Sequence, residues 1–174
     1  MAGTRFPVRT QRPRPALLGI YLNDHLAGAT GGAELARRAA GSAASTEAAG
    51  PLRRFVTEVT EDRQALLAMM SALGVPVRSY KVYAAWIGEK AGRLKLNGRL
   101  ISRSPLSTLE ELELLRLGVE GKAAGWRTLR ALAERDSRLD AAQLDQLLSR
   151  ARLQAGMLEE LRRHAADQVI AEQG

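Results

Sequence analysis

The chain has 174 residues, of which 45% are hydrophobic and 26% charged, which fits one globular domain with a sizeable core. It contains no cysteine, which excludes disulfides and thiolate metal sites. No apolar run approaches the ~18 residues that a membrane helix needs. With a net charge of +7 and no secretory signal, we expect a cytoplasmic, bacterial-type protein that does not enter membranes.

The N-terminus is a basic segment. Residues 1–15 are rich in proline and arginine and lack apolar periodicity, which predicts a disordered arm ahead of a helical domain over 16–174. Clustered arginines favour phosphate binding because they release counterions from nucleic acid. A solubilising tail is the simpler interpretation, and a nucleic-acid partner is the alternative. The arginines concerned are Arg5, Arg9, Arg12 and Arg14.

Six prolines mark the ends of long stretches rich in Ala, Leu, Glu and Arg. Proline disrupts a helix interior, so this pattern predicts long helices between the prolines. No segment alternates with a two-residue period, so no strand is predicted. We expect helices over 16–40, 51–74, 79–100, 105–134 and from 140 onward, with a small-residue loop over 41–50.

Several residues predict where these helices begin and end. Gly74, with a proline two residues beyond it, is typical of a helix stop. Ser107 and Glu110 are spaced for a capping box at the start of the fourth helix, and Asp140 is placed to cap the last.

Apolar stripes at helical spacing predict the core. Small residues crowd the later half of helix one, which favours a close approach by another helix. The stripe of helix one contains Leu18, Leu22, Leu26, Ala29, Ala33 and Ala36; that of helix two contains Leu52, Phe55, Val59, Leu66, Met69 and Leu73. The fourth helix contributes Leu109, Leu112, Leu117 and Trp126, and the last contributes Leu144, Leu147, Ala151, Leu158, Leu161, Ala165 and Val169.

The third stretch, over 79–100, sets the predicted topology. At ~1.5 Å per residue it would span ~33 Å, enough to carry the chain back along the whole bundle. The segment TEVTEDRQALLAMMSALGVP (57–76) resembles the second helix of the ferritin-like superfamily, most closely an uncharacterised bacterial stress-associated branch. This resemblance, over 16–171, implies an all-α, ferritin-like up-down-down-up four-helix bundle with an additional helix in the long crossover.

Ferritin-like di-metal sites use Glu-x-x-His motifs from two helices. This chain contains no such motif and only two histidines, His25 and His164. The ferritin-like site therefore does not carry over intact. What the resemblance implies is a stress-associated bundle with a weak or degenerate metal site.

Polar residues do fall on the apolar stripes, and four of them are candidate metal ligands: His25, Asp62, Glu113 and Glu120. Gln154 lies on the stripe of the last helix at a similar depth. A buried carboxylate requires a partner. We therefore expect His25 to meet Glu120, and Asp62 or Glu113 to meet a neighbour such as Arg63.

Two interpretations of this cluster remain open. In the first it is a hydrogen-bonded network that fixes the relative positions of the helices. In the second it is a weakened metal site, in which an imidazole nitrogen and carboxylate oxygens suit iron, manganese or zinc. Neither a nucleophile elbow nor a phosphate loop is present, so we predict no catalytic residues. The partners considered are a homo-oligomer, nucleic acid, or a protein that contacts helix one.

Overall fold

The computed structural model describes residues 17–43, 45–78 and 105–171. Within these ranges the chain forms helices and no strand, which confirms the all-α prediction. The basic arm with its four arginines and the predicted helix over 79–100 lie outside the described residues. The helices are α1 (Leu17–Ser42), α2 (Ala49–Ala72), α3 (Pro105–Ala133) and α4 (Ala141–Ala171).

Gly74 ends α2 as its sequence predicts. Its φ of +69° is the left-handed conformation that glycine adopts without steric cost. The backbone N–H of Val75 donates to the Met70 carbonyl at 2.8 Å, and that of Gly74 donates to Ser71 at 3.0 Å. These two bonds form a Schellman motif, which satisfies carbonyls left without helical partners.

The starts of α1, α3 and α4 follow the prediction to within a residue, and the start of α2 departs from it. Asp140 Oδ1 accepts hydrogen bonds from the backbone N–H groups of Ala142 at 2.8 Å and Gln143 at 3.2 Å, as expected of a helix cap. Helix α3 begins at Pro105 as predicted, but Ser107 then lies inside the helix rather than at its cap. Helix α2 begins at Ala49, two residues earlier than expected.

Cross-helix contacts give the direction in which α1 and α3 run. The hydroxyl of Tyr21 lies 3.0 Å from that of Thr128, and His25 lies against Gly125. From the first contact to the second, the residue number rises along α1 and falls along α3, so the two helices are antiparallel.

The same reasoning applies to α2 and α4. Glu58 accepts from Gln154, and Glu61 accepts from Arg150, so these helices are also antiparallel. Each helix of the ring α1–α2–α4–α3 thus runs opposite to both of its neighbours, with α2 and α3 diagonal to each other.

The core has two apolar parts that lie at opposite ends of the helices. The loop-end core is near the α1–α2 loop, and the turn-end core is near the α3–α4 turn. Between them lies a band of buried polar groups. The loop-end core contains Ala36, Ala39, Leu52, Phe55, Leu112, Leu115, Val119, Ala123, Ala151, Leu158 and Ala165. The turn-end core contains Leu22, Leu26, Leu66, Met69, Met70, Trp126, Leu129, Leu139, Leu144 and Leu147.

Helix α3 buries Leu112 and Trp126 as predicted, but not Leu117 between them. Leu117, expected in the core, is 65% exposed. Glu113 and Glu120 flank Leu117 at helical spacing and are exposed with it. The true buried seam is Leu112, Leu115, Val119, Trp126 and Leu129, with Lys122 in the same spacing.

Candidate functional site

Asp62 of α2 is a buried carboxylate at the centre of the bundle, with only 2% of its surface exposed. Its Oδ2 lies 2.5 Å from the ammonium Nζ of Lys122 on α3, and its Oδ1 lies 3.0 Å from Nη1 of Arg150 on α4. Both carboxylate oxygens therefore have a cationic donor, which a buried charge requires.

Gln154 extends this network on the α4 side and is itself 2% exposed. Its Oε1 accepts from Lys122 Nζ at 2.5 Å, and its Nε2 donates to Glu58 Oε2 at 2.8 Å. We call Asp62, Lys122, Arg150, Gln154 and Glu58 the polar layer. It joins α2, α3 and α4 between the two apolar cores.

Burial affects the charge on Lys122. Removal from water lowers the pKa of its ammonium from the ordinary 10.5, while the Asp62 carboxylate opposes this shift. Both hydrogen-bond partners of Nζ are acceptor oxygens, which matches an ammonium donor. The polar layer is therefore a set of compensated charges.

A cavity of about 500 Å³ opens between α1, α2 and α3, on the other side of the polar layer from α4. Its walls are mostly apolar, including Val59, Leu66, Leu114, Leu115 and Trp126. This volume lies within the range of small-molecule pockets, which in bundles form between helices. The polar side chains in its lining are Tyr21, Asp24, His25, Asp62, Arg63 and Lys122.

Glycines line the cavity on two facing helices. Gly28 and Gly32 belong to α1, while Gly118 and Gly121 belong to α3. A Cβ atom built on any of the four would meet nothing within 4 Å. The small residues of α1 were expected to admit a close helix, but at Gly28 and Gly32 they border open space instead.

The close approach occurs at Gly125. A Cβ there would lie 3.0 Å from Nδ1 of His25, so the imidazole occupies the space that a larger residue would need. The His25 ring also packs edge-on against Tyr21, with centroids 4.4 Å apart. Burial lowers the pKa of His25 from 6.5, only partly opposed by the Asp24 charge. This favours a neutral imidazole at pH 7.

Arg63 does not pair with Asp62, contrary to our expectation, because Lys122 and Arg150 already occupy both carboxylate oxygens. Instead, Arg63 Nε donates to the Thr30 hydroxyl at 3.0 Å. Within the part of the chain that the structure describes, the terminal Nη atoms of Arg63 have no hydrogen-bond or ion-pair partner.

The structure does not bring the four predicted metal ligands together. His25 packs beneath Gly125, Asp62 is bound by two cations, and Glu120 is exposed. Glu113 is half-exposed and lies 3.8 Å from Arg162. Across residues 17–43, 45–78 and 105–171, no group of three or more His, Asp and Glu is placed to hold a metal.

The expected His25–Glu120 contact is therefore wrong, because α3 is rotated so that Glu120 faces outward. Asp62 and Gln154, both expected on buried faces, are buried. Metal binding by His25, Asp62, Glu113 and Glu120 stays a prediction.

Sequence reasoning missed Lys122, Arg150 and Glu58. The signal for Lys122 was present: it continues the alternating three- and four-residue spacing of the α3 seam. Placing the seam through Leu117 moved Lys122 to the wrong face. Arg150 and Glu58 each lie four residues from a buried polar group on the same helix, a spacing that puts them on its face.

Comparison with known proteins gave no match among family models, curated proteins or solved structures. The four helices, over the residues described, include none with the length and apolar character needed to cross a bilayer.

Proposed function

We propose that this protein binds a small, mostly apolar molecule in the cavity between α1, α2 and α3. The observation that carries the proposal is the cavity itself, about 500 Å³ of space with apolar walls and a few polar groups at defined positions. That combination is typical of small-molecule sites.

The four cavity glycines support this proposal. A glycine inside a helix costs roughly 0.5–1 kcal/mol relative to alanine. Gly28, Gly32, Gly118 and Gly121 have negative φ, and none is in contact with a group that a Cβ would displace. Because no side chain projects from these four positions, the cavity keeps its volume although α1 and α3 approach each other closely.

The polar layer forms the part of the cavity wall that is held rigidly in place. Asp62 and Lys122 line it, and their bonds to Arg150 and Gln154 hold them in place from α4. A side chain held on several sides loses little freedom when a ligand binds. In this proposal α4 acts as a support and does not touch the ligand.

For the fold, we propose the ferritin-like up-down-down-up arrangement. The antiparallel contacts around the ring α1–α2–α4–α3 support it. The Lys122 ammonium would then supply, at mid-bundle, the positive charge that a metal supplies in ferritin-like sites. A stress-associated role, which the resemblance implies, stays a separate prediction.

A neutral fluorescent probe tests the binding function. N-phenyl-1-naphthylamine becomes bright in apolar surroundings, and we expect it to brighten saturably with the wild-type chain. The variant Gly118→Leu/Gly121→Leu fills the cavity from α3 and should weaken probe binding at least tenfold, without loss of stability.

Gly156→Leu is the matched control, because Gly156 is also helical, also borders open space and does not line the cavity. It should bind the probe like the wild type. A wild-type chain that leaves the probe dark contradicts the proposal. So does equal binding by the filled variant, or brightening that grows with protein self-association measured by light scattering.

A further inference from the structure

The side chains of the cavity also indicate the chemical class of its ligand. We propose that the ligand carries an anionic group, such as a carboxylate, which binds the guanidinium of Arg63 while its apolar body fills the cavity. This inference rests on the proposed binding function and adds the identity of the recognised group.

The charges in the lining lead to Arg63. Asp62 is compensated by Lys122 and Arg150, and the lowered pKa of His25 favours its neutral form. Asp24, the other carboxylate of the lining, is exposed to solvent, which screens its charge. Arg63 is left as the cation of the described lining that has no carboxylate partner.

The geometry of Arg63 fits an oxyanion. Its Nε–H is taken by the Thr30 hydroxyl, which tethers the side chain to α1. The two terminal nitrogens keep their donors, and a guanidinium presents such donors to a carboxylate in a fork. Arg63 is only partly exposed, so an ion pair formed there is screened less than one in open water.

Lys122 supplies a second donor to the same space. Its ammonium has three N–H groups, and the described partners, Asp62 and Gln154, account for two of them. Lys122 lines the cavity beside Asp62, and in this proposal its third donor binds a ligand oxygen. The cavity thus offers two cationic donors and a long apolar wall, which suit an amphiphilic monoanion.

Dodecanoate and dodecanol provide the test, because they share an apolar chain and differ in charge. Each is titrated below its aggregation limit against N-phenyl-1-naphthylamine bound to the full chain, with calorimetry as a direct check. We expect dodecanoate to displace the probe at roughly tenfold lower concentration than dodecanol. Added salt should reduce the difference.

The decisive variant is Arg63→Gln, which keeps a hydrogen-bonding group near Thr30 and removes the charge. It should bring the dodecanoate concentration needed to displace the probe close to that of dodecanol. The ratio of the two concentrations is compared within each variant, so that a change in probe affinity cancels. Arg127→Gln, an exposed position of α3 outside the cavity, is the control and should retain the preference for the acid. Circular dichroism checks that both variants fold.

The outcomes separate this inference from the proposed function. If the probe and dodecanol bind but dodecanoate has no advantage, or keeps its advantage in Arg63→Gln, the anion assignment is overturned and the apolar site stands. If none of the three compounds binds by fluorescence or calorimetry, both proposals are overturned.

Discussion

The two sides of the bundle are built differently. Between α2 and α4, charged and amide side chains meet at close range: Arg150 with Glu61, and Gln154 with Glu58. Between α1 and α3, glycines face open space over much of the interface, and a close contact forms where His25 meets Gly125. On the α2–α4 side the backbones lie farther apart and long polar side chains bridge them, whereas on the α1–α3 side the backbones lie closer and the cavity borders the glycines.

This difference has a physical consequence. Ala- and Leu-rich helices pack in many nearly equivalent ways, whereas a buried ion pair is satisfied in few of them. The polar layer bridges α2 and α4, whose backbones approach less closely than those of α1 and α3, and so fixes their relative position without tight apolar packing between them. The predictions below test this division, beginning with the largest effect.

Removing Asp62 should be the most damaging change. Asp62→Leu leaves the buried Lys122 without its carboxylate, and breaking such a pair typically costs about 3–5 kcal/mol of unfolding free energy. Urea denaturation followed by circular dichroism measures the loss. Glu61→Gln is the matched control, because it removes the exposed carboxylate partner of Arg150 and should cost under about 1 kcal/mol.

The double variant Asp62→Leu/Lys122→Met tests whether the lost stability comes from the unpaired ammonium. Replacing both charges by apolar groups of similar size removes the unpaired ammonium, so most of the lost stability should return. If the double variant is as unstable as Asp62→Leu alone, the cost lies in packing and not in the orphaned charge.

Two glycines four residues apart on α3 test the interface between α1 and α3. Gly121→Ala should raise the unfolding free energy by about 0.5–1 kcal/mol, because alanine favours the helix and meets no neighbour. Gly125→Ala should instead lower it by about 1 kcal/mol, since its Cβ would crowd the His25 ring. Thermal unfolding compares the two.

A double variant tests whether the His25 ring causes the expected penalty of Gly125→Ala. Combining Gly125→Ala with His25→Ala removes the ring, so the glycine replacement should then become neutral or stabilising. An equal penalty in the presence and absence of the imidazole would show that the two helices are not in close contact there.

The pH dependence of stability gives a smaller effect. The pKa of His25 is below 6.5 in the folded protein, so the unfolded chain binds the extra proton first. The contribution of the neutral His25 imidazole to the unfolding free energy is present above pH 6.5 and is lost as the pH falls below it. Because the ring is only half-buried, solvent limits the loss to about a few tenths of a kcal/mol.

His25→Gln should flatten this part of the profile between pH 7 and pH 5, measured by urea denaturation at each pH. An unchanged slope would mean that other groups carry the acid sensitivity, and that His25 is not shielded by α3.

Metal addition should have the smallest effect. Since Lys122 and Arg150 occupy both oxygens of Asp62, we expect zinc, manganese or ferrous iron to leave the melting temperature unchanged to within about 1 °C. The variant Lys122→Met removes the ammonium that competes with a metal ion for Asp62. Its melting temperature with and without metal is the comparison to make. A clear rise in the wild-type melting temperature would support the predicted metal site and contradict this expectation.

The sequence predicted helices well because their ends carry local chemistry. The Schellman stop at Gly74 and the cap at Asp140 depend on a few neighbouring residues, and both are found. The faces of α1, α2 and α4 were also read correctly in outline, including the buried positions of Asp62 and Gln154.

The site itself was only partly predictable. Helix α3 has two leucine stripes, and nothing local distinguishes the buried Leu115 from the 65%-exposed Leu117. Because we placed Leu117 on the buried stripe, we overlooked Lys122 and expected Glu113 and Glu120 to face the core. The cavity was unpredictable for a related reason: a glycine such as Gly28 permits either a close contact or a void, and the neighbouring helix decides which.

The polar layer also has a consequence for how the molecule opens. Because it lies between two apolar cores, we expect the amides around Leu158 and those around Leu144 to belong to two cooperative units that are coupled through Asp62, Lys122 and Gln154. Native-state hydrogen exchange should report one common opening energy while those bonds hold. In Asp62→Leu the halves should exchange at separate rates, so a single carboxylate couples the two ends of the protein.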